Sequence, residues 1–212
     1  MKSCQCQGIE IEFNRGEAAR KLADYRQNGP AATTRLLLAA LQEAGVEGQT
    51  LLDIGGGIGA IQYELLRAGA RAALSVEASP AYLEAAQQEA RRQGRSDQIR
   101  FQPGDFVELA ADIPPADIVT LDRVICCYPD MPALVGLSAD RARRLCALVY
   151  PRDAAWVRLG LRVENLLHRI KGSPFRAFAH RTAAVEAILL ERGLRRRFYQ
   201  SAGFWQIGVY AR

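Results

Sequence analysis

A chain of 212 residues with an apolar fraction of 49% has the length for one domain with an appendage, and the means for a sizeable core. The net charge of +5 is carried mostly by arginine, which suits a solvated basic surface and leaves RNA, acidic small molecules and anionic lipid open as partners. No apolar run nears the roughly 18 residues of a membrane span, and Met1-Lys2-Ser3-Cys4-Gln5-Cys6 lacks a secretory apolar core. The expectation is a cytoplasmic protein with no transmembrane segment and five reduced cysteines.

Cys4 and Cys6 open the chain, and a second pair, Cys126-Cys127, lies far downstream. Cys-x-Cys is not a zinc-finger spacing and adjacent cysteines ligate one ion poorly, so small thiols are read here and no metal is expected. From Asn14 to Tyr25, Ala18, Leu22 and Tyr25 recur at helical spacing until Asn28-Gly29-Pro30 breaks the pattern. A second helix runs from Thr33-Thr34 to about Gly45. Residues 1–47 thus form an N-terminal helical arm, and Tyr25, Gly29, Thr33 and Thr34 are candidates to touch a ligand held by the domain at 48–212.

Thr50 to Ile54 reads as a strand ending on Asp53 and Ile54, followed at once by Gly55-Gly56-Gly57-Ile58-Gly59 and a helix to about Arg67. Glycine permits positive φ and close backbone approach, and a helix start offers free N–H groups. Strand two ends at Glu77; Ser79 and Pro80 then cap and open a helix toward Gly94. Ile99 to Gln102 is strand three, before Gly104-Asp105-Phe106. Strand four is Ala116 to Leu121, running into Asp122-Arg123-Val124. A helix from about Met131 to Arg144 precedes strand five, Cys146 to Tyr150. The alternation predicts an α/β, Rossmann-like parallel sheet.

Beyond Pro151 the rhythm changes. Ala154 to Ile170 is an amphipathic helix whose apolar stripe is Trp156, Leu159, Val163, Leu166, Leu167 and Ile170. It opens a helical cap at about 152–180. Covering the sheet edge, capping a pocket and touching a membrane surface all remain open for it. Thr182 to Arg192 is a helix stopped by Gly193, and Leu194 to Gln200 with Phe204 to Tyr210 make a closing antiparallel hairpin.

Three strand-end acids in register with the glycines carry the chemistry. Asp53 ends strand one, Glu77 lies where an acid meets a ribose diol, and Asp105 with Phe106 suits an adenine amine and ring. The dinucleotide spacing G-x-G-x-x-G fails, because the position after Gly57-Ile58-Gly59 that needs glycine is Gln62. A dehydrogenase is therefore disfavoured.

These residues resemble the class I S-adenosylmethionine-dependent methyltransferases. Asp53 to Gly59 is similar to their first motif, Glu77 to the ribose acid, Asp105-Phe106 to the adenine motif and Leu121-Asp122-Arg123-Val124 to the fourth. The resemblance implies S-adenosyl-L-methionine as cofactor and S-adenosyl-L-homocysteine as product. The cofactor-site candidates are Asp53, Gly55, Gly57, Gly59, Glu77, Ala78, Asp105, Phe106, Asp122 and Tyr25. By layout the chain also resembles the magnesium-protoporphyrin O-methyltransferases: the arm, Val149-Tyr150-Pro151-Arg152, the amphipathic helix, Ser173-Pro174-Phe175-Arg176 and Phe204-Trp205-Gln206. An acidic, flat small molecule is the expected acceptor, with O-methylation favoured and no dedicated nucleic-acid module. No catalytic base is assigned among His168, His180, Tyr128, Tyr150 and Asp122. The rival readings are an RNA methyltransferase using Arg141, Arg143, Arg144 and Arg195-Arg196-Arg197, and a non-catalytic S-adenosylmethionine-binding protein.

Overall fold

The computed structural model describes residues 8, 9 and 11–212. Cys4 and Cys6 lie outside the described residues. The arm is α1 (Arg15–Asn28) and α2 (Ala32–Glu43). Asn14 caps α1: its Oδ1 accepts from the N–H groups of Gly16 at 3.0 Å and Glu17 at 3.2 Å, a stabilisation of about 1 kcal/mol. Then follow β1 (Thr50–Ile54), α3 (Ala60–Arg67), β2 (Ala72–Glu77), α4 (Pro80–Arg92), β3 (Ile99–Pro103), the single turn α5 (Phe106–Leu109) and β4 (Ala116–Asp122). The remainder is α6 (Met131–Arg141), β5 (Ala142–Pro151), α7 (Ala155–Ile170), α8 (Thr182–Glu191), β6 (Arg195–Ala202) and β7 (Trp205–Ala211).

The seven strands form one sheet in the order β3-β2-β1-β4-β5-β7-β6, all parallel except β7, which runs antiparallel to both its neighbours. Alternate residues of each strand enter opposite cores. Leu51, Ala73, Ile118 and Ala147 face α1 to α4, whereas Leu52, Val76, Val119 and Cys146 face α6 and α8. The arm shares the first core through Leu22, Tyr25, Leu37 and Leu41. The fully buried Glu89 of α4 also accepts from Arg26 of α1 at 2.9 Å, fastening the arm beside the sheet.

Two expectations are corrected. The helix from Met131 ends at Arg141, not Arg144, and β5 begins at Ala142. No turn residue separates the two elements, so the sequence pattern runs on. Tertiary contacts decide the boundary: Ala142 pairs with Ala116, its carbonyl accepts from Arg212 at 2.7 Å, and Arg144 donates to the carbonyls of Ala44 and Gly45. The second concerns α7. It buries Val157 and Leu161 against Phe175 and Ala177, while all six residues of the expected stripe are exposed, from 51% at Leu167 to 73% at Ile170.

Candidate active site

The chain reverses direction across the sheet between β1 and β4, where an open α/β sheet leaves a crevice beyond the carboxyl ends of its strands. A cavity of about 510 Å³ occupies this place, within the usual size for a small-molecule site. Its floor is the loop after β1. Gly55 has φ +63° and a Cβ on it would lie 2.5 Å from Val124; a Cβ on Gly56 would lie 2.4 Å from Gln62 and 2.7 Å from Ser75. Side chains are thus excluded both above and below the loop, and backbone alone forms the floor.

The acids divide into two kinds. Asp53 is beneath the floor, 1% exposed, accepting from Thr120 Oγ1 at 2.6 Å and Gln62 Nε2 at 3.1 Å. Burial pushes its carboxyl up to about 7 against the pull of those two bonds. It braces the loop through Gln62 and Ser75. Glu77 stands at the rim of β2, also buried. One oxygen accepts from Gly57 N–H and the other from Ser79 N–H, each at 2.8 Å. Burial raises its pKa, opposed by those backbone bonds. The carboxylate is therefore fixed in orientation while keeping lone pairs for a further donor.

Asp105 caps α5 through Val107 N–H at 2.8 Å and accepts from the Tyr128 hydroxyl at 3.0 Å. Phe106, Tyr128 and Leu134 complete that end of the cavity, and Ala78 and Tyr82 line it beside Glu77. The Tyr82 hydroxyl is buried with no partner among the described residues. At the far end Asp122 accepts from Thr34 at 2.5 Å and from Arg123 Nε at 3.1 Å. Arg123 has φ +62°, the sole non-glycine residue so placed among the described residues. That backbone is costly for a side chain of this size. It is held by the Arg123 N–H donating to Val149 at 2.8 Å and by its guanidinium lying 6.0 Å over Trp205.

Of the sequence candidates, Asp53, Gly55, Gly57, Glu77, Ala78, Asp105, Phe106, Asp122, Gly29 and Thr34 all line the cavity. Gly59 does not; at φ +89° it starts α3 against Tyr63, where a Cβ would lie 2.6 Å from the ring. Tyr25 lends its ring to the wall, but its hydroxyl donates to Glu64 at 2.9 Å, away from the crevice. Thr33 is buried elsewhere. His180 Nε2 sits 3.1 Å from the carbonyls of both Ile125 and Tyr128, a donor position that ties the segment before α8 to the turn after β4. Tyr150 is enclosed in the second core, and His168 packs on Phe175 outside the cavity.

Sequence reasoning missed Ile9, Phe13, Arg20, Lys21 and Asp24, which also line the cavity, Phe13 edge-on to Tyr82 at 5.6 Å. The available signal was polar residues on the same side of α1 as Tyr25, one turn apart. Lys21 is half-buried beside Arg123, and desolvation, then that cation, lowers its pKa. Cys127 also lines the cavity, with Cys126 Sγ 3.7 Å away. Among the described residues no group of three metal-ligating side chains gathers, and no helix is long and apolar enough to cross a membrane. The arginines of the RNA reading lie elsewhere. Arg143 and Arg144 open β5, and Arg195 pairs with Ala211, itself opposite Leu145. That is the end of the sheet away from the cavity.

Strand order, a backbone floor and rim acids together define a class I methyltransferase, whose cofactor is S-adenosyl-L-methionine. The sequence model of the O-methyltransferase domain matches residues 14–135, more than half of the chain, and the chain belongs to that family. It is 32% identical over 133 residues to a ribosomal protein L11 methyltransferase of Alteromonas mediterranea, covering 59% of this chain and 46% of that one. The chain spans about half the length of the curated relatives it matches. Magnesium protoporphyrin IX methyltransferase of Synechocystis PCC 6803, solved with bound SAH, superposes with a TM-score of 0.75 at 21% identity, over 98% of this chain and 99% of that one. Mitomycin 7-O-methyltransferase MmcR gives 0.63 at 24% identity, over 92% of this chain and 57% of that one. At these identities the two structures speak for the fold, which includes the closing hairpin and the layout expected for the magnesium-protoporphyrin enzymes.

Proposed function

We propose that the protein methylates an oxygen of a small, acidic acceptor, with S-adenosyl-L-methionine as donor. The observation that carries this is the charge set around the cavity: Glu77 and Asp105 line one end as hydrogen-bond acceptors, while at the other Lys21 stands beside Arg123, whose guanidinium is paired with Asp122 at 3.1 Å.

The residues suit the cofactor. Glu77, already oriented by two N–H groups, has lone pairs for the ribose hydroxyls. Asp105 accepts from the adenine amine, Phe106 and Leu134 supply apolar contact, and Tyr128 steadies Asp105. The floor at Gly55 to Gly57 receives the methionine portion, and Asp122 faces its ammonium. Asp53 acts through the loop it braces, and Gly59 serves by starting α3. The bound cofactor supplies a methyl group on a positively charged sulfur, ready for in-line displacement. The chain supplies position and fixed charge.

Lys21, which has no ion-pair partner among the described residues, is suited to hold an acceptor carboxylate, with the Asp122-paired Arg123 beside it, and Phe13, Ile9 and Cys127 to hold its apolar body. A carboxylate needs no base, which fits a cavity wall without histidine among the described residues. Calorimetry with S-adenosylmethionine and S-adenosylhomocysteine tests the donor half; failure of both to bind sinks it. Labelled methyl transfer into a cell extract, read by mass spectrometry with and without mild alkali, tests the acceptor half. Alkali-labile label marks a methyl ester, stable label on oxygen an ether, and label in RNA overturns the small-molecule reading.

A further inference from the structure

Helix α7 carries a surface that the methyl-transfer site does not use. On an ideal helix most residues of α7 fall into three arcs, with Gly160 and the exposed Glu164 on the remaining edge. The inward arc holds Val157, Leu161, Asn165 and His168; Val157 and Leu161 are buried, and Asn165 exchanges hydrogen bonds with Ala177 at 2.7 and 2.8 Å. The outward apolar arc, about 100° wide, holds Trp156, Leu159, Val163, Leu166, Leu167 and Ile170, every one more than half exposed. Between them, along one edge of the apolar arc, runs a row of Arg158, Arg162 and Arg169. Arg158 pairs with Asp153; Arg162 and Arg169 have no acidic partner among the described residues.

We infer that this outward face docks on an anionic lipid surface. An interfacial helix needs a continuous apolar strip to enter the acyl boundary and cations beside it at the phosphate level. Here a strip about 21 Å long is bordered on one side by arginines whose long stems reach past it. Anionic headgroups supply the counter-charge those arginines lack within the chain. A second copy paired antiparallel by a two-fold axis is a poorer occupant, because that axis sets the two arginine rows side by side. The inner side of the helix packs with Phe13 and Cys127, both on the cavity wall, so docking sets the cavity wall close to the lipid. The docking rests on this surface alone and stands or falls independently of the acceptor class.

Co-sedimentation of the full chain with phosphatidylcholine vesicles, with and without phosphatidylglycerol, tests it. Binding to the anionic vesicles is expected, weakened by salt, and reduced at least about tenfold in Leu159→Glu/Leu166→Glu. That variant should keep its affinity for S-adenosylhomocysteine, which reports folding. Hydrogen exchange on the wild-type chain gives a reading free of substitution: residues 155–170 should gain protection only with anionic vesicles. No vesicle binding, equal binding by the double variant, or protection that rises with protein concentration alone overturns the inference, the last in favour of a second copy.

Discussion

The cavity has two walls built on different principles. The wall over β1 and β2 is backbone and strand-end acids: Gly55 to Gly57, Glu77 held by two N–H groups, Asp53 locked below. Its parts are local in sequence and its geometry is over-determined. The other wall is side chains lent by separate elements: Lys21 and Asp24 from α1, Arg123 from the corner after β4, Cys127 from the turn beyond. Nothing local fixes those positions. A shared cofactor calls for the first kind of wall. The second can change with little cost to the fold, and that is what a variable acceptor calls for.

The sharpest way to break the first wall is Gly56→Ala. The new methyl group meets Gln62 and Ser75 well inside contact distance. Cofactor binding should vanish, with about 1–3 kcal/mol lost in stability by thermal melting. Next is Glu77→Ala, which leaves the N–H groups of Gly57 and Ser79 without their acceptor. Calorimetry should show S-adenosylhomocysteine bound about 100-fold more weakly. Unchanged affinity would remove Glu77 from the site.

On the second wall Lys21→Ala should lower kcat/KM for an acidic acceptor about tenfold, roughly 1.4 kcal/mol, while S-adenosylmethionine affinity moves less than about twofold. A fall in cofactor affinity instead would assign Lys21 to the methionine end and dissolve the contrast. Asp53 gives a pH signature. Its pKa rises on folding from 3.8 to about 7 through burial, so the folded chain holds a proton that the unfolded chain has released. Its contribution to stability is therefore full at low pH and declines as pH rises across that window. Asp53→Asn has no proton to lose, and its melting temperature should vary less with pH than that of the wild type. The smallest effect is expected of Tyr128→Phe, which removes one bond to Asp105. S-adenosylhomocysteine affinity should fall about 2- to 10-fold.

The same division separates what the chain reveals in one dimension from what it conceals. Asp53, Glu77 and Asp105 were legible because each ends or follows a strand whose period is plain, and the glycines mark where the backbone must approach a ligand. Tyr25 was legible as part of the arm, but the direction of its hydroxyl was not, since Glu64 is 39 residues away. The end of α6 escaped because Ala142-Arg143-Arg144 suits helix or strand, and only pairing with Ala116 chooses.

By itself the sequence determined the strand order's raw material, the backbone floor, the rim acids and the cofactor class, because those depend on neighbours in the chain. The tertiary structure alone decided that Lys21 meets Arg123, that Gly59 turns away from the cavity, and that the apolar stripe of α7 faces outward. Helical periodicity fixes which residues share a face. Which face is buried depends on what the rest of the chain brings against it, and against α7 it brings Phe175 and Ala177 to Val157 and Leu161.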